Sequence, residues 1–233
     1  MEFNVIKKGT VTSTNTLLKQ QAKLLPHGTA LVADSQTQGR GRLGRSFYSP
    51  DETGLYMSIL LKKDFDANPT LVTTMTAVAV IKAIEKVTGK PAQVKWVNDI
   101  LLNGKKVCGI LTEGAFSGNE LEYIIVGIGI NVSTSEFPEE IKEIAGRVDC
   151  DKEELMTAVL DCFKAEFESL RSKKFLDFYR QRCVTLNKKI KILSPSKEPV
   201  EAFAQGIDDN AALVVKFPDS TVGTVSSGEV SVR

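Results

Sequence analysis

The stretch Gln36–Arg45, read Gln-Thr-Gln-Gly-Arg-Gly-Arg-Leu-Gly-Arg, sets the tightest limit on how this 233-residue chain can fold. Three glycines (Gly39, Gly41, Gly44) alternate with three arginines (Arg40, Arg42, Arg45), and no apolar periodicity runs through them. Such a segment has no face to bury as a helix or a strand, so it must be a loop outside the core. Glycine permits backbone angles closed to other residues and lets the main chain approach a ligand. Arginine adds planar, permanently charged donors shaped for carboxylates and phosphates. The segment reads as a mobile anion clamp whose charge must be matched by something, and no acidic run in the chain does so.

Composition narrows the classes. The length suffices for one large domain plus a small one. A formal charge of +1 argues against a general nucleic-acid coat, which carries a broad basic excess. No apolar run approaches the roughly 20 residues of a membrane span. The start, Met1-Glu-Phe-Asn-Val, lacks the pattern of a secretory signal, so a cytoplasmic location is expected. Cys108, Cys150, Cys162 and Cys183 are far apart in sequence and form no C-x-x-C pair, which argues against a structural zinc or a disulfide framework. Cys108 lies in an apolar strand pattern and is expected in the core. The single histidine, His27, sits in a Pro-His-Gly turn, so histidine-based metal sites have no second ligand and nothing resembles a nucleophile elbow. Chemistry here has to rest on Lys, Arg and backbone groups.

Strands are expected at Phe3–Ile6, Thr29–Ala33 and Leu55–Leu61. A first helix follows Ser13 or Thr14 as cap, with Leu17, Leu18, Leu24 and Leu25 at helical spacing. Pro69 opens a long amphipathic helix to about Val87, which Gly89 ends. Gln93–Val97 begins a β region, and Asn103-Gly104 between apolar runs marks a two-residue hairpin. Leu121–Val132 is the last long strand of this part and offers an edge for pairing, hence a possible homodimer. Helices follow at Glu139–Ala145, Asp151–Leu170 and Lys174–Arg182. From Thr185 the texture changes to short strands at Ile190–Leu193, Val200–Gly206, Ala212–Phe217 and Thr221–Val225, with the end Gly228-Glu-Val-Ser-Val-Arg233. That is a small β-barrel, marginal alone, that docks on the main domain.

Gly39-x-Gly41-x-x-Gly44 matches a dinucleotide fingerprint in form only, because Arg45-Ser-Phe-Tyr-Ser-Pro50 cannot open the required helix. An RGG-type RNA contact and a plain solvated loop are the competing readings, and the downstream Phe47 favours ligand contact over the solvated loop. Lys106 shares a face with Cys108 and Ile110 by strand alternation and so needs an anion, either a fixed carboxylate or a ligand phosphate. Asn98 and Asp99 precede the hairpin, where turn chemistry and a role in a site are equally open readings. In Val126-Gly-Ile-Gly-Ile-Asn-Val132, alternation puts Gly127, Gly129 and Asn131 on one face. Two glycines there suggest that a covering helix or a flat ligand lies against the sheet.

Taken together, Ser13-Thr-Asn15, Gln36–Arg42, Lys95-Trp-Val-Asn-Asp99, Lys106 with Gly109-Ile-Leu, and Gly127-Ile-Gly-Ile-Asn131 closely resemble the biotin protein ligase family in order and spacing. The tail ending Gly228-Glu-Val-Ser-Val-Arg is similar to that family's C-terminal domain. Val97 stands where the family usually has proline, and Phe47 where it typically has tryptophan. Many bacterial members carry an N-terminal helix-turn-helix domain and act as repressors. This chain begins at the ligase domain, so the resemblance implies the monofunctional form, with no DNA partner.

The implied fold is α/β of the α+β type. A class II synthetase-like catalytic domain, residues 1–184, has a mixed sheet with helices on one face, and an SH3-like barrel occupies 185–233. The implied activity is ATP-dependent: biotin is activated as biotinyl-5′-AMP and passed to a lysine of a biotin carboxyl carrier protein. By similarity, Ser13, Thr14, Asn15 and Gln36 bind the ureido ring and its surroundings. Arg40, Gly41 and Arg42 close over biotin and the adenylate, with Arg45 near the phosphates. Lys106 and Arg42 are the catalytic residues, Lys106 holding carboxylate and α-phosphate oxygens. Phe47 and Asn131 serve the adenine end, and Gly127 and Gly129 form the floor under biotin. Mg²⁺ rides on ATP rather than in a protein cage. Lipoate–protein ligase, which shares the fold and the adenylation chemistry, is the rival.

Overall fold

A computed structural model describes residues 1–62, 68–118, 120–194, 197–226 and 228–232. The C-terminal Arg233 of the tail motif lies outside the described residues. A seven-stranded mixed sheet is built from β1 (Asn4–Val11), β2 (Thr29–Gln36), β3 (Gly54–Lys62), β4 (Ala92–Lys95), β5 (Asp99–Leu102), β6 (Lys105–Ser117) and β7 (Glu120–Asn131). Their order is β1-β2-β3-β7-β6-β5-β4, with β1 parallel to β2 and every other pair antiparallel. β7 therefore lies inside the sheet between β3 and β6, and the edge expected of it does not exist; β1 and β4 are the edges.

Alternation along the strands sorts the two faces. Ala30, Val32, Ile59, Leu61, Ile124, Val126 and Ile128 join the main core, covered by α2 (Pro69–Thr88) and α3 (Lys152–Glu168). Leu31, Leu60 and Ile125 point the other way and meet Leu18 and Ala22, on and just after α1 (Thr14–Gln21). Helices thus occupy both faces, a departure from the one-sided packing expected. Helix α1 spans only eight residues and covers β2, β3 and part of β7. The remainder of that face, over β5 to β7, is left for the cleft.

Helix α2 begins where Asn68 Oδ1 accepts a hydrogen bond from Leu71 N at 2.8 Å, with Pro69 in the first turn. It ends at Gly89, whose φ of 68° is left-handed. Every residue from Leu71 to Ile81 is buried, so α2 is a core helix wrapped by sheet, α3 and α4 (Phe175–Arg182) rather than the amphipathic one expected. The Asn103-Gly104 hairpin has both central residues at positive φ, 52° and 76°, as a type I′ turn requires. Residues 139–145 are not the expected helix. The chain is pulled out of helical geometry where Lys106 N donates to Ile144 O at 2.7 Å and Gly146 N to Lys106 O at 2.8 Å. Seven residues are too few for a helix to resist that competition.

The C-terminal strands β8 (Lys189–Ser194), β9 (Lys197–Ile207), β10 (Leu213–Lys216), β11 (Val222–Val225) and β12 (Glu229–Val232) form one antiparallel sheet, β11-β10-β9-β8-β12. Among the described residues β11 and β12 do not pair, so the expected barrel is not closed. Its apolar side, including Ile190, Ala204, Leu213, Val215 and Val230, is continuous with the main core, which removes the need for closure. Trp96 stitches the two parts together, its indole N–H donating to Ala211 O at 3.1 Å and its backbone N–H to Thr185 Oγ1 at 2.9 Å. No described helix is long and apolar enough to cross a membrane. Replacing Asn68 with Ala removes the α2 cap and should cost about 1 kcal/mol in urea-unfolding stability.

Candidate active site

One cleft on the open face of the sheet gathers almost all the residues singled out above. Ser13, Thr14, Asn15, Gln36, Arg40, Gly41, Arg42, Arg45, Phe47, Lys106, Gly127 and Gly129 all line it. Asn131 does not. Its Nδ2 donates to Gly146 O at 3.0 Å, which anchors the 144–146 segment against the sheet. His27 is also outside the lining, its Nδ1 accepting from Lys62 N.

The glycine–arginine segment folds back on itself as a flap. Arg40 bridges to Ser46, Gly41 N donates to Arg45 O at 2.7 Å, and Phe47 N donates to Gly39 O at 2.9 Å. A Cβ on Gly39 would lie 2.3 Å from Phe47 O and 2.6 Å from Ser49 Oγ, so the neck of the flap admits only glycine. Its charge is met by scattered single groups rather than by any acidic run. Arg40 pairs with Glu113 at 3.1 Å, and Arg45 Nη1 donates to Glu229 Oε1 at 2.7 Å. Arg42 donates to Asn98 Oδ1 at 3.0 Å and to Gly228 O at 2.8 Å. Burial lowers the Arg42 pKa, and nearby Asp99 and Glu229 work against that shift. Arg42 stays charged, because a guanidinium has little prospect of losing its proton in a protein.

Lys106 reaches the cleft by a route that plain alternation misses. Ile100 pairs with Cys108 but Leu101 pairs with Lys106, so Val107 is an extra residue, a β-bulge. Val107 and Cys108 are both buried in the core, and Lys106 is turned to the opposite face from Cys108. There its ammonium lies 2.6 Å from Asp99 Oδ1, which answers the expected need for an anion with a fixed carboxylate. Burial pushes the Cys108 thiol pKa up, so that thiol is packing rather than nucleophile.

The glycine floor is covered by the protein's own side chains. A Cβ on Gly127 would lie 2.3 Å from Asn15 Oδ1, and one on Gly129 would lie 2.6 Å from Phe47 Cε1. Gly109, opposite Gly129 on β6, also lies under the Phe47 ring. Helix α1 is thus the cover at Gly127, and an aromatic ring is the flat object at Gly129. At the α1 end, Gln36 Oε1 accepts from Thr14 N at 2.9 Å while its Nε2 donates to Ser49 Oγ at 2.9 Å. Ser13 caps α1 by accepting from Thr16 N.

Sequence reasoning missed Glu113, Glu229 and the carbonyl of Gly228. Glu113 was within reach, because counting by twos from Gly109 along β6 puts it on the glycine face. Glu229 had no local signal; it arrives from a sheet 184 residues beyond Arg45 in the chain. For Asn98 the sequence leaves turn chemistry and a place in the site both open. Its Nδ2 donates to Ile110 O while its Oδ1 holds Arg42, so it serves both turn and flap.

A polar cleft on a mixed sheet, with a glycine floor, three ion-paired cations and Arg42 held by neutral oxygens, has the chemistry to hold a small anion. Residues 8–131 match the biotin/lipoate A/B protein ligase family and residues 185–233 match the biotin protein ligase C-terminal domain. The chain belongs to the biotin/lipoate A/B protein ligase family. It is 34% identical to the biotin protein ligase of Aquifex aeolicus, a structure in complex with biotin and ATP, at a TM-score of 0.84 over 99% of this chain and 98% of that one. The bifunctional ligase/repressor BirA of Bacillus subtilis is 38% identical over 159 residues, 64% of this chain and 49% of its own length. The chain thus spans about half the length of the first curated relatives it matches. The biotin–[acetyl-CoA-carboxylase] ligase of Mycobacterium tuberculosis is 26% identical over 98% of this chain and 88% of its own.

Gly127→Ala should force Asn15 off the sheet and cost about 1–3 kcal/mol as overpacking. The thermal midpoint measures it, and an unchanged midpoint would mean that Asn15 moves aside freely.

Proposed function

We propose that this chain is an ATP-dependent biotin–protein ligase that forms biotinyl-5′-AMP and transfers biotin to a lysine of a biotin carboxyl carrier protein, in the cytoplasm. The observation that carries the reading is the convergence of Thr14, Gln36, Arg40, Arg42 and Lys106 on one glycine-floored cleft in a member of this family. In this reading residues 1–184 form the catalytic unit and 185–233 a unit that supplies Gly228 and Glu229 to the cleft.

Adenylation joins two anions. A biotin carboxylate oxygen attacks the α-phosphorus of ATP, the bond to the β-phosphate oxygen breaks, and pyrophosphate leaves. A carboxylate is already a nucleophile at neutral pH, so no histidine base is required. The barrier is mutual repulsion and positioning, which fixed cations lower. Lys106 exchanges Asp99 for the carboxylate and α-phosphate oxygens, and Arg42 and Arg45 meet phosphate oxygens. Ser13, Thr14, Asn15 and Gln36 surround the ureido ring. Phe47 lies beside the adenylate, above Gly109 and Gly129. Closure of the 37–47 flap keeps water from the mixed anhydride. In the second step the neutral acceptor amine attacks the biotinyl carbonyl carbon, the bond from that carbon to the phosphate oxygen breaks, AMP departs and the amine gives up a proton to solvent. Charge neutralisation would come from Mg²⁺ carried on the triphosphate. Asp99 and Glu229, the carboxylates in the cleft lining, are the residues that would hold it once Lys106 and Arg45 turn to substrate oxygens.

Exchange of labelled pyrophosphate into ATP should depend on biotin. Exchange with lipoate alone would transfer the reading to the lipoate branch, and none with either would leave a binding protein without turnover. Lys106→Ala should lower exchange by about 100-fold or more while the protein still folds. Near-normal exchange in that variant would remove Lys106 from the chemistry. With Arg42→Gly, adenylate should escape and label bystander lysines; labelling confined to the carrier would count against the clamp.

A further inference from the structure

Among the described residues, Glu113 is the one carboxylate that touches both the flap and the α1 end of the cleft. It stands on β6 paired with Ile125 of β7, on the face that α1 covers. One of its oxygens, Oε2, accepts from Asn15 Nδ2 at 2.8 Å, and Arg40 Nη1 lies 3.1 Å from Oε1 and 3.2 Å from Oε2. Its side chain is 21% exposed against 47% for Arg40, so the pair sits at the cleft edge with the acid on the inner side.

The Asn15 amide has two possible orientations, and its neighbours select one. A carboxylate is acceptor-only when ionised, so it takes the amide N–H₂ and repels the amide oxygen. The second N–H points to Leu111 O at 3.3 Å, while Oδ1 receives the Ser58 hydroxyl at 2.6 Å. Asn15 is buried, and a Cβ on Gly127 would lie only 2.3 Å from Oδ1, so the amide lies pressed against the floor. Turning the amide over would set Oδ1 against Glu113. The acid therefore fixes which polar atom this part of the pocket presents, and the same acid holds the flap through Arg40.

We propose that Glu113 is a positioning residue that couples closure of the 37–47 flap to the orientation of the Asn15 amide, an inference that rests on the biotin reading above. Glu113→Gln keeps an oxygen for Asn15 but removes the charge that holds Arg40, whereas Glu113→Ala removes both. Trypsin cutting after Arg40, Arg42 and Arg45 in ligand-free protein reports the flap, and calorimetric biotin affinity reports the amide. Both variants should be cut about two- to fivefold faster, the range for an ion pair at the surface. Only Glu113→Ala should lose biotin affinity, by about tenfold or more, with Glu113→Gln within about twofold of wild type.

Unchanged cutting in Glu113→Gln overturns the coupling, as does wild-type biotin affinity in Glu113→Ala. A role confined to strand stability would lower the thermal midpoint of both variants and move their biotin affinities together, which also overturns it. Should Glu113→Ala fail to fold, the cutting rate of Glu113→Gln decides. A wild-type chain that does not bind biotin sinks the biotin reading instead, and the cutting arm still tests the hold of Glu113 on the flap.

Discussion

A cation facing a cleft has to find an acceptor, and four of them here find theirs on separate elements, which sets how those elements meet at the rim of the cleft. Arg40 ties the flap to β6 through Glu113, and Arg45 ties it to the C-terminal sheet through Glu229. Arg42 spans both sides, reaching Asn98 before β5 and Gly228 before β12. Lys106 links β6 to the start of β5 through Asp99. Each exposed pair adds little to stability alone. Their value lies in geometry: the three arginines lay a glycine-rich segment with no apolar side to bury across the open face of the sheet.

That arrangement suits a site whose ligands are anions. In the function proposed here, substrate oxygens take the place of protein carboxylates, so the cations are already aimed into the cleft before ligand arrives and little reorganisation remains for the reaction itself. The glycines of β6 and β7 complete the design by leaving the floor free of side chains, so that Asn15 and Phe47 can lie directly upon it. The C-terminal sheet takes part in the cleft through a carbonyl and a carboxylate, and its apolar face is merged with the main core rather than wrapped in a barrel of its own.

Much of the secondary structure was readable from pattern. Pro69 and Gly89 bracket α2, Asn103-Gly104 makes the hairpin, and Asp151 caps α3 by accepting from Glu154 N. Failures cluster where a distant segment competes with local preference. The stretch 139–145 carries helical residues but gives its backbone to Lys106. The bulge at Val107 reverses the face of Lys106, and no residue near it announces an inserted position. Leu24, expected in the first helix, lies beyond the end of α1 and is exposed.

The sequence by itself determined the glycine–arginine loop, the hairpin and most of the residues that line the cleft, because these depend on residue type and spacing along the chain. Tertiary structure alone decided which carboxylates meet the arginines, which face Lys106 takes, and that β7 is interior. Those outcomes depend on pairing between segments up to 186 residues apart, as from Arg42 to Gly228, and local preference carries no information about such contacts.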